Sequence, residues 1–101
     1  MSVLIVSKMS GDVAAFRKAL NERPDEFTAW AEKGRAAGAI HHQFGVGDGY
    51  VVVVDEWESV EQFEAFFGDP ELQAFIGSAG GDPNSQPELT VGEAIASPDK
   101  F

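Results

Sequence analysis

The sequence predicts an α+β domain on the ferredoxin-like βαββαβ plan: a four-stranded antiparallel sheet with its helices on one face. Three observations carry this reading. The stretch YVVVVDEW, Tyr50 to Trp57, is β-branched or aromatic at five successive positions and passes directly into a helical pattern. Gly47-Asp48-Gly49 is a tight turn joining that stretch to the preceding one as a hairpin. The periodic segments follow the order strand, helix, strand, strand, helix, strand. At 101 residues the chain makes one domain, 1–101, with 96–101 a tail.

The elements follow in order. Val3 to Val6 is a short apolar run, read as a central strand. Ser10-Gly11-Asp12 is a turn able to cap a helix whose stripe is Val13, Phe16 and Leu20. Pro24 interrupts it, because proline lacks the amide hydrogen and restricts Arg23 before it. A second helical piece from about Asp25 to Ala37 gathers Phe27, Trp30, Ala31 and Gly34 on one face. Gly38 is placed to close it in a left-handed conformation. Ala39 to Val46 is the next strand. In Tyr50–Trp57, Val51 and Val53 cover one face, and Tyr50, Val52 and Val54 the other. Ser59 with Gln62 forms a capping box ahead of Val60, Phe63, Phe66 and Phe67. Gly68 ends that run and Asp69-Pro70 starts another, with Leu72, Phe75 and Ile76 as its stripe. Gly77 to Pro87 is expected to be a mobile loop. Leu89 to Ile95 alternates as the last strand.

Charge narrows the partners. Seven basic against seventeen acidic residues give a formal charge of −10. Nucleic acid is not expected as a partner, since its binding rests on Lys and Arg meeting phosphates. An anionic membrane surface is excluded on the same ground. The absence of cysteine removes disulfides, thiolate catalysis and Cys-ligated zinc. The apolar run near the N-terminus is too short for a membrane span and lacks the features of a signal peptide, so a cytoplasmic location is expected. The first and third strands are apolar at both parities, whereas helices cover one face only. A second copy packed on the open face is therefore expected, giving a homodimer.

The order of elements, Gly38-Ala39-Ile40 leading into a His-containing strand, and VVVVDEWES followed by Phe63, Phe66 and Pro70-Glu71-Leu72 resemble the dimeric α/β barrel superfamily. The nearest branch is the antibiotic-biosynthesis-monooxygenase-type domains. The resemblance implies a homodimer. It also implies a range of activities, among them cofactor-free oxygenation of polycyclic phenols, haem degradation and polyketide cyclisation; many members have no known activity. The haem-degrading pattern requires an Asn, a Trp and a His where this chain has Ser7, Phe66 and Ile76, and Ile76 cannot ligate iron.

His41 and His42 are strand neighbours and point to opposite faces, so they cannot chelate one metal together. His41, with Gln43, is expected to look into the space between sheets, and His42 toward the helices with Ile40 and Phe44. A cavity His able to take a proton from a phenol makes His41 the candidate base, with a hydrogen-bonded structural His as the plain alternative. Gln43 is a candidate orienter. Tyr50 and Trp57 are candidate walls, and Trp30 a roof between helix and sheet; His42 belongs to the same candidate binding set. Each aromatic has simple packing as its alternative. Asp55 and Glu56 diverge and are read as surface carboxylates. No cofactor or metal motif is recognised. Two functions follow: a cofactor-free oxygenase-like enzyme for a hydrophobic aromatic compound, or a non-catalytic dimer that binds a ligand or serves a partner.

Overall fold

The computed structural model describes all of residues 1–101. The strands are β1 (Val3–Ser10), β2 (Ala39–Gly47), β3 (Tyr50–Trp57) and β4 (Glu88–Glu93); the helices are α1 (Val13–Glu22), α2 (Pro24–Ala37), α3 (Val60–Phe67) and α4 (Pro70–Ser78). The sheet order is β2-β3-β1-β4 with every pairing antiparallel, which is the ferredoxin-like arrangement.

Local chemistry sets the helix boundaries. Asp12 accepts a hydrogen bond from the amide of Ala15 at 3.0 Å and opens α1. Pro24 stands at the first position of α2, where its missing N–H costs nothing. Gly38 closes α2 at φ 124°, a conformation that L side chains rarely adopt. Ser59 Oγ accepts from the Gln62 amide at 3.2 Å to begin α3, and Asp69 accepts from Glu71 at 2.8 Å to begin α4.

Alternation divides the sheet. Ile5 and Ser7 of β1, with Val51, Val53, Asp55 and Trp57 of β3, are buried beneath the helices. The centre of the core is Ile5, Trp57 and Phe63, packed with Val3, Ala37, Ala39, Phe66 and Phe67. On the other face Leu4 (46% exposed), Val6 (39%) and Val54 (42%) stand open.

Four expectations need correction. The first strand runs on past Val6 to Ser10, because Ser7 to Ser10 continue the ladder with β3. Ile40 does not face the helices: the register slips between Ala39 and His41, leaving Ile40 as the extra residue of a bulge and exposed. The loop begins after Ser78 and not at Gly77, which is still in α4, and its first part is held to the β1–α1 turn: Asp12 N–H donates to Gly80 O at 2.9 Å, Asp82 N–H donates to Ser10 O at 3.3 Å, and Gly11 bridges Gly81. A Cβ on Gly11 would meet Gly80 O at 2.6 Å, so glycine permits this approach. The last strand stops at Glu93 and leaves Ile95 exposed in the tail.

Candidate functional site

Between the helices and the β2–β3–β1 part of the sheet lies a cavity of about 610 Å³. Its walls are aromatic. Phe16, Phe27, Phe44, Phe63, Phe66, Phe67 and Phe75 line it together with Trp30 and Trp57, so that of the chain's phenylalanines only Phe101 lies elsewhere. Several of their rings meet edge to face, as in Phe16–Phe44 at 5.0 Å and Phe27–Phe75 at 4.9 Å between centroids, while Phe63 and Phe67 stack. A cavity of this size and lining suits a flat apolar compound of several rings.

The polar groups on the sheet side are few and specific. Asp55, only 8% exposed, has both oxygens occupied. Oδ1 is 2.7 Å from His42 Nδ1, and Oδ2 accepts from Trp57 Nε1 at 3.2 Å. A buried carboxylate needs such donors. With Asp55 ionised, His42 Nδ1 carries the hydrogen and donates it, which leaves Nε2 with a free lone pair. Nε2 has no hydrogen-bond partner in the chain, and His42 borders the cavity with its ring edge-on to Phe44, 4.6 Å between centroids. The arrangement is an oriented imidazole at the rim of an aromatic slot, its side chain 41% exposed, suited to taking a proton from a bound hydroxyl.

The constellation follows from register. Counting outward from the Asp48-Gly49 turn pairs Gly47 with Tyr50 and then His42 with Asp55. Trp57, two residues beyond Asp55, shares its face. Reading each residue against its sequence neighbour, Asp55 with Glu56 and His41 with His42, conceals this cross-strand pair. Asp55 is thus a buried site residue and not a surface carboxylate. His42 is the imidazole with an orienting partner. His41 lies opposite Glu56, is exposed, and makes no side-chain hydrogen bond, so nothing orients it, although it also borders the cavity. Gln43 lies opposite Val54 on the open face and does not line the cavity. Tyr50 is on that face as well, its ring 4.5 Å from Lys8 Nζ, and does not line the cavity between helices and sheet. Trp30 and Trp57 both line the cavity, and Trp57 is also core. No group of three or more His, Asp or Glu comes together as a metal site.

No protein-family model matches the sequence, and no curated protein matches it significantly. Solved structures share the fold. SnoaB, a cofactor-independent oxygenase from Streptomyces nogalater, superposes with a TM-score of 0.64 at 15% identity, covering 98% of each chain. The ActVA-Orf6 monooxygenase of Streptomyces coelicolor, solved with nanaomycin D, gives 0.62 at 20% identity over 95% of this chain and 89% of its own. Rv0793 from Mycobacterium tuberculosis gives 0.61 at 17% identity over 98% and 100%. The likeness is one of fold: these proteins, antibiotic-biosynthesis monooxygenases among them, share the ferredoxin-like α+β arrangement of this chain.

Proposed function

We propose that the chain is a cofactor-free, monooxygenase-like enzyme acting on a hydrophobic aromatic phenol, with His42 as base and Asp55 as its orienting partner. The observation that carries the reading is the His42–Asp55 pair set in an otherwise aromatic cavity. The oxygenase and monooxygenase activities named for SnoaB and ActVA-Orf6 support it.

The substrate supplies the electrons. His42 Nε2 takes the hydroxyl proton and leaves an electron-rich anion. The anion passes one electron to dioxygen, and the resulting radicals join in a carbon–oxygen bond. The peroxide anion regains a proton from the imidazolium. At the ring carbon that carries the peroxide, loss of its one C–H proton to the base then breaks the O–O bond. One oxygen stays as a ketone and the other leaves as water, so that the phenol and O₂ become a quinone and H₂O. Aromatic walls shield the ring system, while the His42 side chain, 41% exposed, stays in contact with water.

The test is oxygen consumption with anthrone- and naphthol-like compounds in the presence of a chelator. His42→Ala should lower turnover by ~10²–10⁴, and His41→Ala should leave it near the wild-type rate. No uptake across the panel, or equal uptake by wild type and His42→Ala, would sink the proposal. One observation favours the non-catalytic reading: Asp55 also holds Trp57, so the pair can act as a clamp within the sheet. That reading expects His42→Ala to lower stability alone.

A further inference from the structure

Ser7 is the polar side chain on the helix-covered face of the sheet that the His42–Asp55–Trp57 set does not use. It is 3% exposed and borders the cavity. Its hydroxyl makes no hydrogen bond with any group of the chain, yet no fully enclosed side-chain polar atom lacks a partner. The hydroxyl therefore opens onto the cavity. A polar group there costs free energy unless something bonds to it. Asp55 has settled its account within the protein, whereas Ser7 has no partner until the cavity is filled.

Register places Ser7 relative to His42. Ser7 pairs with Val53 on β3, while His42 pairs with Asp55, two residues further along the same strand. The two side chains flank β3 from opposite sides on the same face of the sheet. Two strand spacings of ~4.8 Å and two residues of ~3.4 Å rise put their Cα atoms ~12 Å apart. That is too far for Ser7 to be the nucleophile of a Ser-His-Asp set. With a hydrogen bond of ~2.9 Å at each end, the remaining ~6 Å matches the span between oxygens on opposite edges of two or three fused six-membered rings.

We infer that Ser7 Oγ is a second anchor of the site, donating a hydrogen bond to an oxygen at the end of the ligand opposite the hydroxyl that His42 deprotonates. The inference rests on the proposed function for the His42 end and adds the ligand class: a fused-ring hydroxyaromatic with an oxygen at each end, the far one a carbonyl or phenol. A ring system with a single hydroxyl leaves the Ser7 hydroxyl buried and unpaired, and the site discriminates against it.

The experiment is equilibrium binding without oxygen, read by quenching of tryptophan fluorescence, so that it does not depend on turnover. The probes are 1,5-dihydroxynaphthalene, 1-naphthol and 1,8-dihydroxyanthraquinone, whose C10 carbonyl lies opposite its hydroxyls. Wild type should bind the compounds with oxygens at both ends more tightly than 1-naphthol. Ser7→Ala should weaken the former about threefold to tenfold and leave 1-naphthol unchanged, as expected for one net hydrogen bond. Ser7→Thr, which keeps the hydroxyl, should restore part of the difference. Equal weakening of all probes, no weakening of any, or no binding by the wild-type protein would each overturn the assignment. If the Ser7 pattern appears while oxygen uptake fails, the anchor stands and the oxygenase reading falls.

Discussion

At the scale of single residues, Asp55 bears the greatest constraint. It accepts from two donors, His42 Nδ1 and Trp57 Nε1, through different oxygens. Asparagine has one acceptor oxygen and one donor nitrogen, so Asp55→Asn cannot serve both. If the amide nitrogen faces His42, it donates to Nδ1 and moves the ring hydrogen to Nε2, the wrong tautomer for a base. If it faces Trp57, two donors confront each other. The first arrangement leaves no donor unpaired and is therefore the favoured one, so oxygen uptake should fall by ~10² or more with little change in urea unfolding. A loss of stability with unchanged turnover would make the pair a clamp only. The residues of this site were present in the sequence, but their association was not legible from neighbours. It required the strand register, which the Asp48-Gly49 turn contains and which side-chain alternation alone does not supply. Ser7 was visible only as a departure from the haem-degrading pattern, because its burial and lack of a partner are properties of the folded cavity.

At the scale of elements, the helices were legible because their signals are local. The Ser59 cap is the clearest case. Its oxygen accepts from the Gln62 amide, and the Gln62 side chain is 2.7 Å from the same hydroxyl. Phe63, which follows directly, packs into the core with Trp57, so a frayed first turn would loosen the wall of the cavity as well. Ser59→Ala should cost ~1 kcal/mol in chemical denaturation. An unchanged midpoint would mean that packing of Phe63 alone holds the helix start. The segment after α4 is a loop, as its Gly, Pro, Ser and Asn composition signals, but the contacts that hold its first part are not local. They come from Ser10, Gly11 and Asp12, far away in the chain. The uneven cover of the sheet is of the same kind. Leu89 and Val91 share the helix-side parity of Ser7 and Ile5 yet remain exposed, because the helices lie chiefly over β2 and β3.

At the scale of the whole molecule, the open sheet face makes a prediction of its own. Leu4, Val6 and Val54 present apolar surface on the side that carries no helix, with Val52 between them and the hairpin end. A contiguous face of this kind on a small domain marks an association surface, and a two-fold partner covers it with itself. We therefore propose a homodimer through this face, burying ~1,600 Å² or more in total. Light scattering at micromolar concentration should give twice the chain mass of 10.8 kDa. Val52 is the informative position, because its partner on β1 is Lys8. In a lone chain, a carboxylate introduced by Val52→Asp finds that lysine beside it and water above it. In the dimer the same pair is stripped of water against an apolar partner face, where the desolvation cost of both charges exceeds what their attraction returns. Val52→Asp should accordingly give a folded monomer, with its helical circular dichroism retained and its scattering mass halved. The cavity lies on the opposite side of the sheet, so ligand quenching of Trp57 should survive the dissociation. A wild-type protein that scatters as a monomer, or a Val52→Asp variant that keeps the doubled mass, would move the interface away from this face.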